Sequence, residues 1–320
     1  SRHDTIAAFG RTRNGTTMQH NQRDGIFLIA LSVIGYSFLP VFTKNLYAQG
    51  VAPIDIAFWR FFLTVPTYWL IVLARGRRPL LSAARTLPRV RVMAMGTLLG
   101  IAALAAFFGL QYIPAGTFSV LFYSYPALVA LIEVVLGERL SLQAWIALGL
   151  TLVGVVLTAP DFSAGFSGNN LPGILWALCD ALVVAVYIIA SSRLLRGYPD
   201  MVRAGAWTVT GALVVLSGLA LLHGLSIPQG TAWLYLLALT LISTVMPVFG
   251  LNAGIQKLGS TRAAIVATFE PVLTALLALI FLGEVMLPIQ WLGGAVIVVS
   301  VMLLQVRRAP QPEQPALASD

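Results

Sequence analysis

Cysteine, histidine and charged residues are scarce in this chain of 320 residues. Its one cysteine, Cys179, excludes an internal disulfide framework and a cysteine-based zinc site. Its three histidines leave little for metal binding or for nucleophile–base catalysis. The sequence also lacks a Gly-rich phosphate loop with its lysine, so we expect no ATP hydrolysis. We predict that the protein is not an enzyme and that it carries no cofactor and no metal.

Apolar residues dominate what is present. Hydrophobic residues make up 58% of the chain, charged residues only 10%, and the mean hydropathy is +0.86. Soluble domains carry roughly 25% charged and about 45–50% apolar residues. Such a chain has too few polar residues to cover its own surface in water, and we predict a membrane protein.

Apolar windows of about 20 residues, the length that crosses a ~30 Å hydrocarbon core, recur along the chain with short polar or Gly/Pro connections between them. They predict an all-α integral membrane protein with ten transmembrane helices. The polar ends, residues 1–25 and 307–320, are predicted to be tails. The ten windows lie near residues 26–46, 55–74, 92–112, 115–136, 143–160, 171–192, 203–223, 231–253, 261–282 and 289–306.

Basic residues predict the orientation of these spans. With residue 1 in the cytoplasm and ten alternating spans, every lysine and arginine except Lys44 and Arg60 falls on the cytoplasmic side. Cytoplasmic loops carry such an excess of basic residues. The net charge of +8 is therefore a signature of topology. We expect both tails to be cytoplasmic, the protein to lie in the cell (inner) membrane, and no nucleic acid to bind.

The two halves of the chain repeat the same motifs. Gly109–Gln111 and Gly254–Gln256 are 145 residues apart, and each glycine is followed 17 residues later by a proline, Pro126 or Pro271. A Gly-Glu pair followed by tryptophan also occurs in both halves. The repetition predicts that the second half is a copy of the first.

Five spans in each copy is an odd number, so the second copy is predicted to lie upside down relative to the first. The first repeat would comprise residues 26–160 and the second residues 161–306. Inverted repeats are a recurring plan of secondary transporters, because two related halves can open to either side of one midplane site.

The duplicated pattern Gly-x-Gln…Pro…Gly-Glu…Trp resembles the EamA-type transporters of the drug/metabolite transporter superfamily. The similarity covers about residues 25–305 and is most specific over 270–277 and 281–284. The first copy departs from the pattern, because Tyr125 stands where the second copy has Glu270. The resemblance implies a 5+5 inverted-repeat exporter of small metabolites, often amino acids, with both termini cytoplasmic.

Glu270 is the first candidate functional residue. It lies about nine residues into its span and directly precedes Pro271. An ionisable group at bilayer depth is costly, and a proline frees a backbone carbonyl beside it. We predict that Glu270 accepts a proton or binds a substrate ammonium, with its repeat equivalent Tyr125 as an aromatic wall and hydrogen-bond donor. The alternative is a neutral carboxyl that only joins neighbouring helices.

Asp180 lies equally deep in the sixth span. Trp176, Asp180 and Tyr187 recur at spacings of four and seven and therefore share one helix face. Such a face suits an organic amine or an amino acid, and Asp180 is a second candidate for proton coupling. Tyr36 of the first span is predicted to line the same cavity. The alternative is an aromatic packing stripe with a carboxylate paired across helices.

Other polar residues fit two interpretations each. Asn252 and Gln256 share one face of the eighth span and suit either substrate binding or hydrogen bonds between helices. Arg60 could hold a substrate carboxylate. Its place near the outer boundary favours instead a side chain that extends to the membrane surface, with Asp55 as its neighbour. Glu284 is expected to be a surface turn residue.

These observations predict a secondary active transporter that exports small organic metabolites such as amino acids by alternating access. Its expected partners are a small-molecule substrate, the lipid bilayer and protons as coupling ion. An uncoupled facilitator of the same solutes is the alternative within transport. A membrane-embedded enzyme or a receptor without transport is the alternative from another class.

Overall fold

A computed structural model describes residues 23–75, 87–137, 141–158, 170–196, 198 and 200–306. Within these residues every regular element is a helix. Most of the two predicted tails lies outside the described residues. In chain order the helices are α1 (Arg23–Ala48), α2 (Pro53–Ala74), α3 (Arg89–Tyr112), α4 (Ala115–Val135), α5 (Leu142–Thr158), α6 (Leu171–Leu194), α7 (Met201–His223), α8 (Ala232–Leu258), α9 (Ser260–Ala267 and Glu270–Leu282) and α10 (Pro288–Val306).

Eight of these helices are long and apolar enough to cross a membrane. Helices α5 and α10 are apolar but shorter, with apolar segments at Leu142–Thr158 and Pro288–Leu304. A membrane interior offers no water to the backbone, so each span has to make its own hydrogen bonds as a helix. The prediction of an all-helical membrane protein is confirmed, whereas the count of ten spans stays a prediction.

Four helices are irregular just before a proline. A turn at Phe38 interrupts α1 before Pro40, and turns also interrupt α4 and α9 before Pro126 and Pro271. In α8 a π-helical segment, Leu241–Val245, precedes Pro247. Proline has no N–H and clashes with the preceding turn, which explains these positions. The irregular segments matter because they leave backbone groups available to other helices.

Close helix packing at glycine holds the bundle together. Helix α3 packs against both α6 and α7, and α5 packs against α10. A Cβ added to Gly96 of α3 would collide with the carbonyl oxygen of Thr208, and one added to Gly211 of α7 would collide with that of Met93. Small residues let helix backbones approach in this way. The packing positions α2, α3, α6 and α7 as neighbours.

At one end of the bundle, which we call the Lys44 end, a polar junction joins α1 to the connection between α3 and α4 and to the residues that follow α9. Lys44 Nζ lies 3.1 Å from Glu284 Oε1 and donates to Ile113 O at 3.0 Å. Glu284 Oε2 accepts from Ala115 N at 2.6 Å. The expectation that Glu284 is a surface turn residue is therefore wrong, because its carboxylate is paired and only 20% exposed.

The same end also brings α4 and α9 together. The first half of α4 packs against the second half of α9, and a Cβ on Gly116 would lie 3.1 Å from Ala275 Cβ. The other halves of these helices have α10 as a common neighbour: Ser260–Ala267 packs against α8 and α10, and Tyr125–Val135 against α5, α6 and α10. Helices α4 and α9 are thus in contact at the Lys44 end, whereas toward the opposite end α9 packs mainly against α8 and α4 mainly against α6.

Candidate functional site

Titratable side chains from five helices meet where α4 and α9 are interrupted. Tyr36 of α1 is central, since it interacts electrostatically with side chains of α2, α4, α6 and α9. Several members, among them Tyr36, Arg60 and Glu270, are partly rather than fully buried. We call this group the central cluster; it consists of Tyr36, Arg60, Tyr68, Tyr123, Tyr125, Asp180, Tyr187 and Glu270.

Glu270 enters the cluster at the first position of the second half of α9. An acidic side chain is favoured at a helix N-terminus by the positive end of the helix dipole. Its carboxylate oxygen Oε2 lies 2.9 Å from the hydroxyl oxygen of Tyr123 in α4. Its backbone carbonyl accepts a hydrogen bond from Ser37 Oγ at 3.2 Å, beside the turn in α1. Glu270 is thereby tied to two other interrupted helices.

Tyr123 also binds a backbone carbonyl that Pro271 leaves without a donor. In a regular helix Ala267 O would accept from the N–H of residue 271, and proline has none. The Tyr123 hydroxyl lies 2.8 Å from Ala267 O and takes the place of that donor. The interruption of α9 thus explains why a tyrosine from α4 points at this segment.

The Tyr123 hydroxyl has one proton and faces two acceptors, Ala267 O and Glu270 Oε2. A tyrosine hydroxyl donates once and can also accept, and a protonated carboxyl can donate. When Glu270 is protonated, it donates to Tyr123, which in turn donates to Ala267, and every contact is satisfied. When Glu270 is ionised, the single hydroxyl proton of Tyr123 can serve only one of the two acceptors, and the other is left without a donor. The geometry therefore distinguishes the two protonation states.

Arg60 occupies the part of the cluster near α2 and α8. Its Nε donates to Thr244 Oγ1 at 2.8 Å, and Thr244 lies in the π-helical segment of α8. Its guanidinium carbon lies 5.7 Å from the ring centre of Phe61 and 5.6 Å from that of Phe107. These contacts hold the guanidinium near two aromatic rings and a hydroxyl.

The expectation that Arg60 extends to the membrane surface beside Asp55 is wrong. Asp55 instead accepts hydrogen bonds from the backbone N–H and the hydroxyl of Ser226. Arg60 interacts electrostatically with Tyr36 and Asp180 inside the bundle. The boundary rule failed because the hydroxyl of Thr244 and the rings of α2 and α3 hold the side chain inside the protein.

Asp180 faces Arg60 from the middle of α6. Its side chain is 4% exposed, and the charge that acts on it is that of Arg60. Both residues are described, and their side chains form no direct ion pair, although each lies within electrostatic range of the other. Buried charges that face one another without contact are costly unless other groups complete their hydrogen bonds.

The structure brings five of the predicted site residues into the central cluster, namely Tyr36, Tyr125, Asp180, Tyr187 and Glu270. It does not bring in the other three. The ring of Trp176 is 38% exposed and stacks on Phe108 with 5.2 Å between ring centres. Asn252 is exposed and donates to Val248 O of its own helix, and Gln256 is exposed.

Sequence reasoning missed Tyr123 and misjudged Arg60. Tyr125 was the expected neighbour of Glu270, and it does interact with the carboxylate electrostatically. The hydrogen bond comes from Tyr123, whose ring centre lies 5.9 Å from that of Tyr125. The signal that could have identified Tyr123 is the unpaired carbonyl that Pro271 leaves four residues upstream.

The described residues contain no group of three or more His, Cys, Asp or Glu side chains that could hold a metal ion. Cys179, adjacent to Asp180, is a free and partly buried thiol. The groups available for chemistry in the cluster are thus hydroxyls, two carboxylates and one guanidinium. Such groups bind polar solutes and exchange protons.

A bundle of apolar helices around a buried polar cluster defines the class, which is a multi-pass membrane protein. The chain belongs to the EamA-like transporter family, whose model matches it twice, over residues 23–159 and 171–306. The predicted family is confirmed, and the protein is a membrane transporter.

Similar proteins are named as transporters or as an exporter. The chain is 25% identical to the uncharacterized transporter YcbK of Bacillus subtilis, with 84% of this chain and 88% of that protein covered. It is 25% identical to the uncharacterized inner membrane transporter YedA of Escherichia coli K12, over 91% and 93% of the two chains. A probable terminal-alkyne amino-acid exporter of Streptantibioticus cattleyicolor is 27% identical over 88% and 93%.

A solved crystal structure shares the fold. It superposes with a TM-score of 0.60, covers 91% of this chain and 100% of its own, and is 24% identical in sequence.

Proposed function

We propose that this transporter is a secondary active exporter of small organic metabolites such as amino acids. The substrate site is the central cluster, and two inverted repeats rock around it so that it opens to one side of the inner membrane at a time. A proton carried by Glu270 supplies the driving force.

The packing of the helices supports the inverted repeat. Helices with the same place in the two halves pack on each other in the pairs α2 with α7, α4 with α9 and α5 with α10. Close approaches also correspond: Gly109 O lies 3.3 Å from a Cβ built on Gly173, and Gly25 O lies 3.1 Å from one built on Gly254. The two separate matches to the family model agree with a boundary near residue 160.

The contact that carries the proposal of proton coupling is the Tyr123 hydroxyl between Ala267 O and Glu270 Oε2. Protonation of Glu270 completes this hydrogen-bond chain and ionisation breaks it. A coupling site needs such a difference, because a ligand shifts a conformational equilibrium only when it binds the two states with different affinity. Loss of one of the two hydrogen bonds between Tyr123 of α4 and α9 is the proposed event that loosens these helices.

The charge distribution supports alternating access from the cytoplasm. With the tails in the cytoplasm, the Lys44 end faces outward, and the junction of Lys44 with Glu284 closes it. Toward the cytoplasm α4 packs mainly against α6 and α9 mainly against α8, which fits a state that loads cargo from inside. Export follows when the Lys44 end opens and the opposite end closes.

Amino acids are the favoured cargo because the cluster combines both charge signs with aromatic rings. The probable amino-acid exporter of Streptantibioticus cattleyicolor adds support from a relative. An uncoupled facilitator would use the same cavity, but the two-state contact at Tyr123 favours coupling. A membrane-embedded enzyme or a receptor remains an outcome of the test below.

The test is flux through proteoliposomes of purified protein, with labelled amino acids, amines and nucleobases, with and without a pH gradient. Wild type and Glu270→Gln are compared. We expect saturable wild-type flux that responds to the gradient, and flux without that response in the variant.

Each other result rejects part of the proposal. Flux that ignores the gradient in both proteins indicates a facilitator and makes Glu270 a packing residue. Chemical change of a solute indicates an enzyme, and saturable binding without flux indicates a receptor.

A further inference from the structure

We propose that Arg60 and Asp180 form a clamp for a zwitterion, in which Arg60 binds the carboxylate of the cargo and Asp180 its ammonium group. The inference rests on the proposed function and sharpens it, because it separates the cargo site from the proton site at Glu270 and Tyr123. It also defines the chemical class of cargo: both charges have to be present on one molecule.

Arg60 is oriented for this role by three contacts. Thr244 accepts a hydrogen bond from Nε, and the ring centres of Phe61 and Phe107 lie 5.7 Å and 5.6 Å from the guanidinium carbon. In the part of the chain that the structure describes, the bond to Thr244 is the one hydrogen bond that Arg60 makes. The N–H groups of its two terminal nitrogens are therefore available to a ligand. Two parallel N–H groups of a guanidinium match the two oxygens of a carboxylate.

Asp180 provides the opposite charge on the facing helix. It is 4% exposed and lies within electrostatic range of Arg60 without touching it. A zwitterion bound between them places its carboxylate at Arg60 and its ammonium group at Asp180, and completes the hydrogen bonds of both side chains. An amine leaves the guanidinium unpaired, and a carboxylic acid leaves Asp180 unpaired; either omission carries the cost of a buried unpaired charge.

Position within the membrane separates the clamp from the proton site. Arg60 lies seven residues from the start of α2 and Glu270 lies twelve residues from the end of α9. At 1.5 Å per residue these are about 10 Å and about 18 Å from the Lys44 end. Tyr36 is the residue that interacts electrostatically with both Arg60 and Glu270. Cargo and proton therefore have separate sites, with Tyr36 between them, as exchange of one for the other requires.

The experiment is binding to detergent-purified protein, measured as ligand-induced thermal stabilisation. The probes are two matched series: L-leucine, 3-methylbutylamine and 4-methylpentanoate, and L-phenylalanine, 2-phenylethylamine and 3-phenylpropanoate. We expect at least one amino acid to stabilise wild type at concentrations about 10- to 100-fold lower than its amine or its acid, as lost charged hydrogen bonds imply. An amine or acid that binds as tightly as the amino acid overturns the proposal, and so does the absence of binding in both series.

Variants test the two residues separately. Arg60→Gln and Asp180→Asn should each weaken amino-acid binding about 10- to 100-fold, and Arg60→Lys, which keeps the charge but loses the planar fork, should weaken it less. Thr244→Val is the matched control for orientation and should have a smaller effect than Arg60→Gln. Each variant is first compared with wild type by size-exclusion profile; if Arg60→Gln does not fold, Arg60→Lys and Asp180→Asn decide. Unchanged affinity in either folded variant overturns the clamp.

The flux assay separates the failure of this inference from the failure of the proposed function. Gradient-dependent flux of amines or nucleobases, with no binding of amino acids, leaves a transporter and rejects the clamp. Selective amino-acid binding that depends on Arg60 and Asp180, with no flux of any solute, supports the clamp and rejects transport.

Discussion

The interruptions of α4 and α9 stand at the same distance from their prolines but supply different polar groups. Before Pro126, α4 provides tyrosine hydroxyls; before Pro271, α9 provides a carboxylic acid and a free carbonyl. Tyr123 of α4 reaches across and binds both groups on α9. Two related helices thus contribute unlike halves of one site, so a duplicated sequence yields a single acid at this position.

The largest effect is expected when the acid is moved from α9 to α4. We expect Glu270→Gln combined with Tyr125→Glu to behave like Glu270→Gln alone. The Tyr123 hydroxyl and the free carbonyl of Ala267 keep their positions, so the relocated acid does not have them as partners. Each pH unit of gradient supports about tenfold accumulation for one coupled proton, and that factor should be lost. Accumulation in proteoliposomes measures it. The control is Glu133→Gln, which removes a carboxylate near the end of α4 and outside the central cluster and should keep the response.

Two tyrosines of α4 provide the next comparison. Tyr123→Phe removes the hydrogen bond to Ala267 O and Glu270, which is worth about 1–3 kcal/mol, and should lower gradient-driven flux about tenfold. Tyr125→Phe should lower it several times less, since its contact with Glu270 is electrostatic. Initial flux at fixed gradient, corrected for the amount of protein, distinguishes them. Equal losses would mean that the two hydroxyls contribute alike and that the hydrogen bonds of Tyr123 are not the decisive contact.

The two prolines provide a third comparison between α9 and α4. Pro271→Ala restores an N–H that competes with Tyr123 for Ala267 O, whereas Pro126→Ala leaves that carbonyl unaffected. We expect turnover to fall several-fold in Pro271→Ala and less in Pro126→Ala. Hydrogen exchange at the α9 interruption, followed by mass spectrometry, should show extra protection only in Pro271→Ala. Similar protection in both variants would contradict the role given to the free carbonyl.

The smallest effect is expected where α4 and α9 meet at the Lys44 end. Glu284→Gln weakens the bond to Lys44 and keeps an acceptor for Ala115 N, so we expect about 1 kcal/mol of lost stability. Lys44→Met should do the same, and the double variant should lose little more than either one. Thermal unfolding of the three variants checks this. Fully additive losses would show that the two side chains act independently.

Much of the fold could be predicted because each apolar window had to become a helix in lipid. The windows near 55–74 and 115–136 agree with α2 and α4 to within two residues at each end. Proline positions indicated where helices are irregular, although α2 continues through Pro66. Whether a proline interrupts a helix depends on which neighbouring group takes the freed carbonyl, and one sequence does not give those neighbours.

The candidate site was predictable where burial alone implied function, and not where partners decide. Glu270 and Asp180 were found because acids deep in a span require an explanation. Arg60 was assigned to the surface by its distance from a boundary, but Thr244 and Phe107 hold it inside. Trp176 has the spacing of a site residue and stacks on Phe108 instead. Periodicity gives the face of a helix but not what that face meets.

The scarcity of cysteine has a practical consequence. Cys179 is the one thiol in the chain, and it directly precedes Asp180 on α6. A spin label or fluorophore attached there marks a single position in the native sequence without removal of any other cysteine. Its spectrum would report how α6 moves beside the charge pair during a transport cycle.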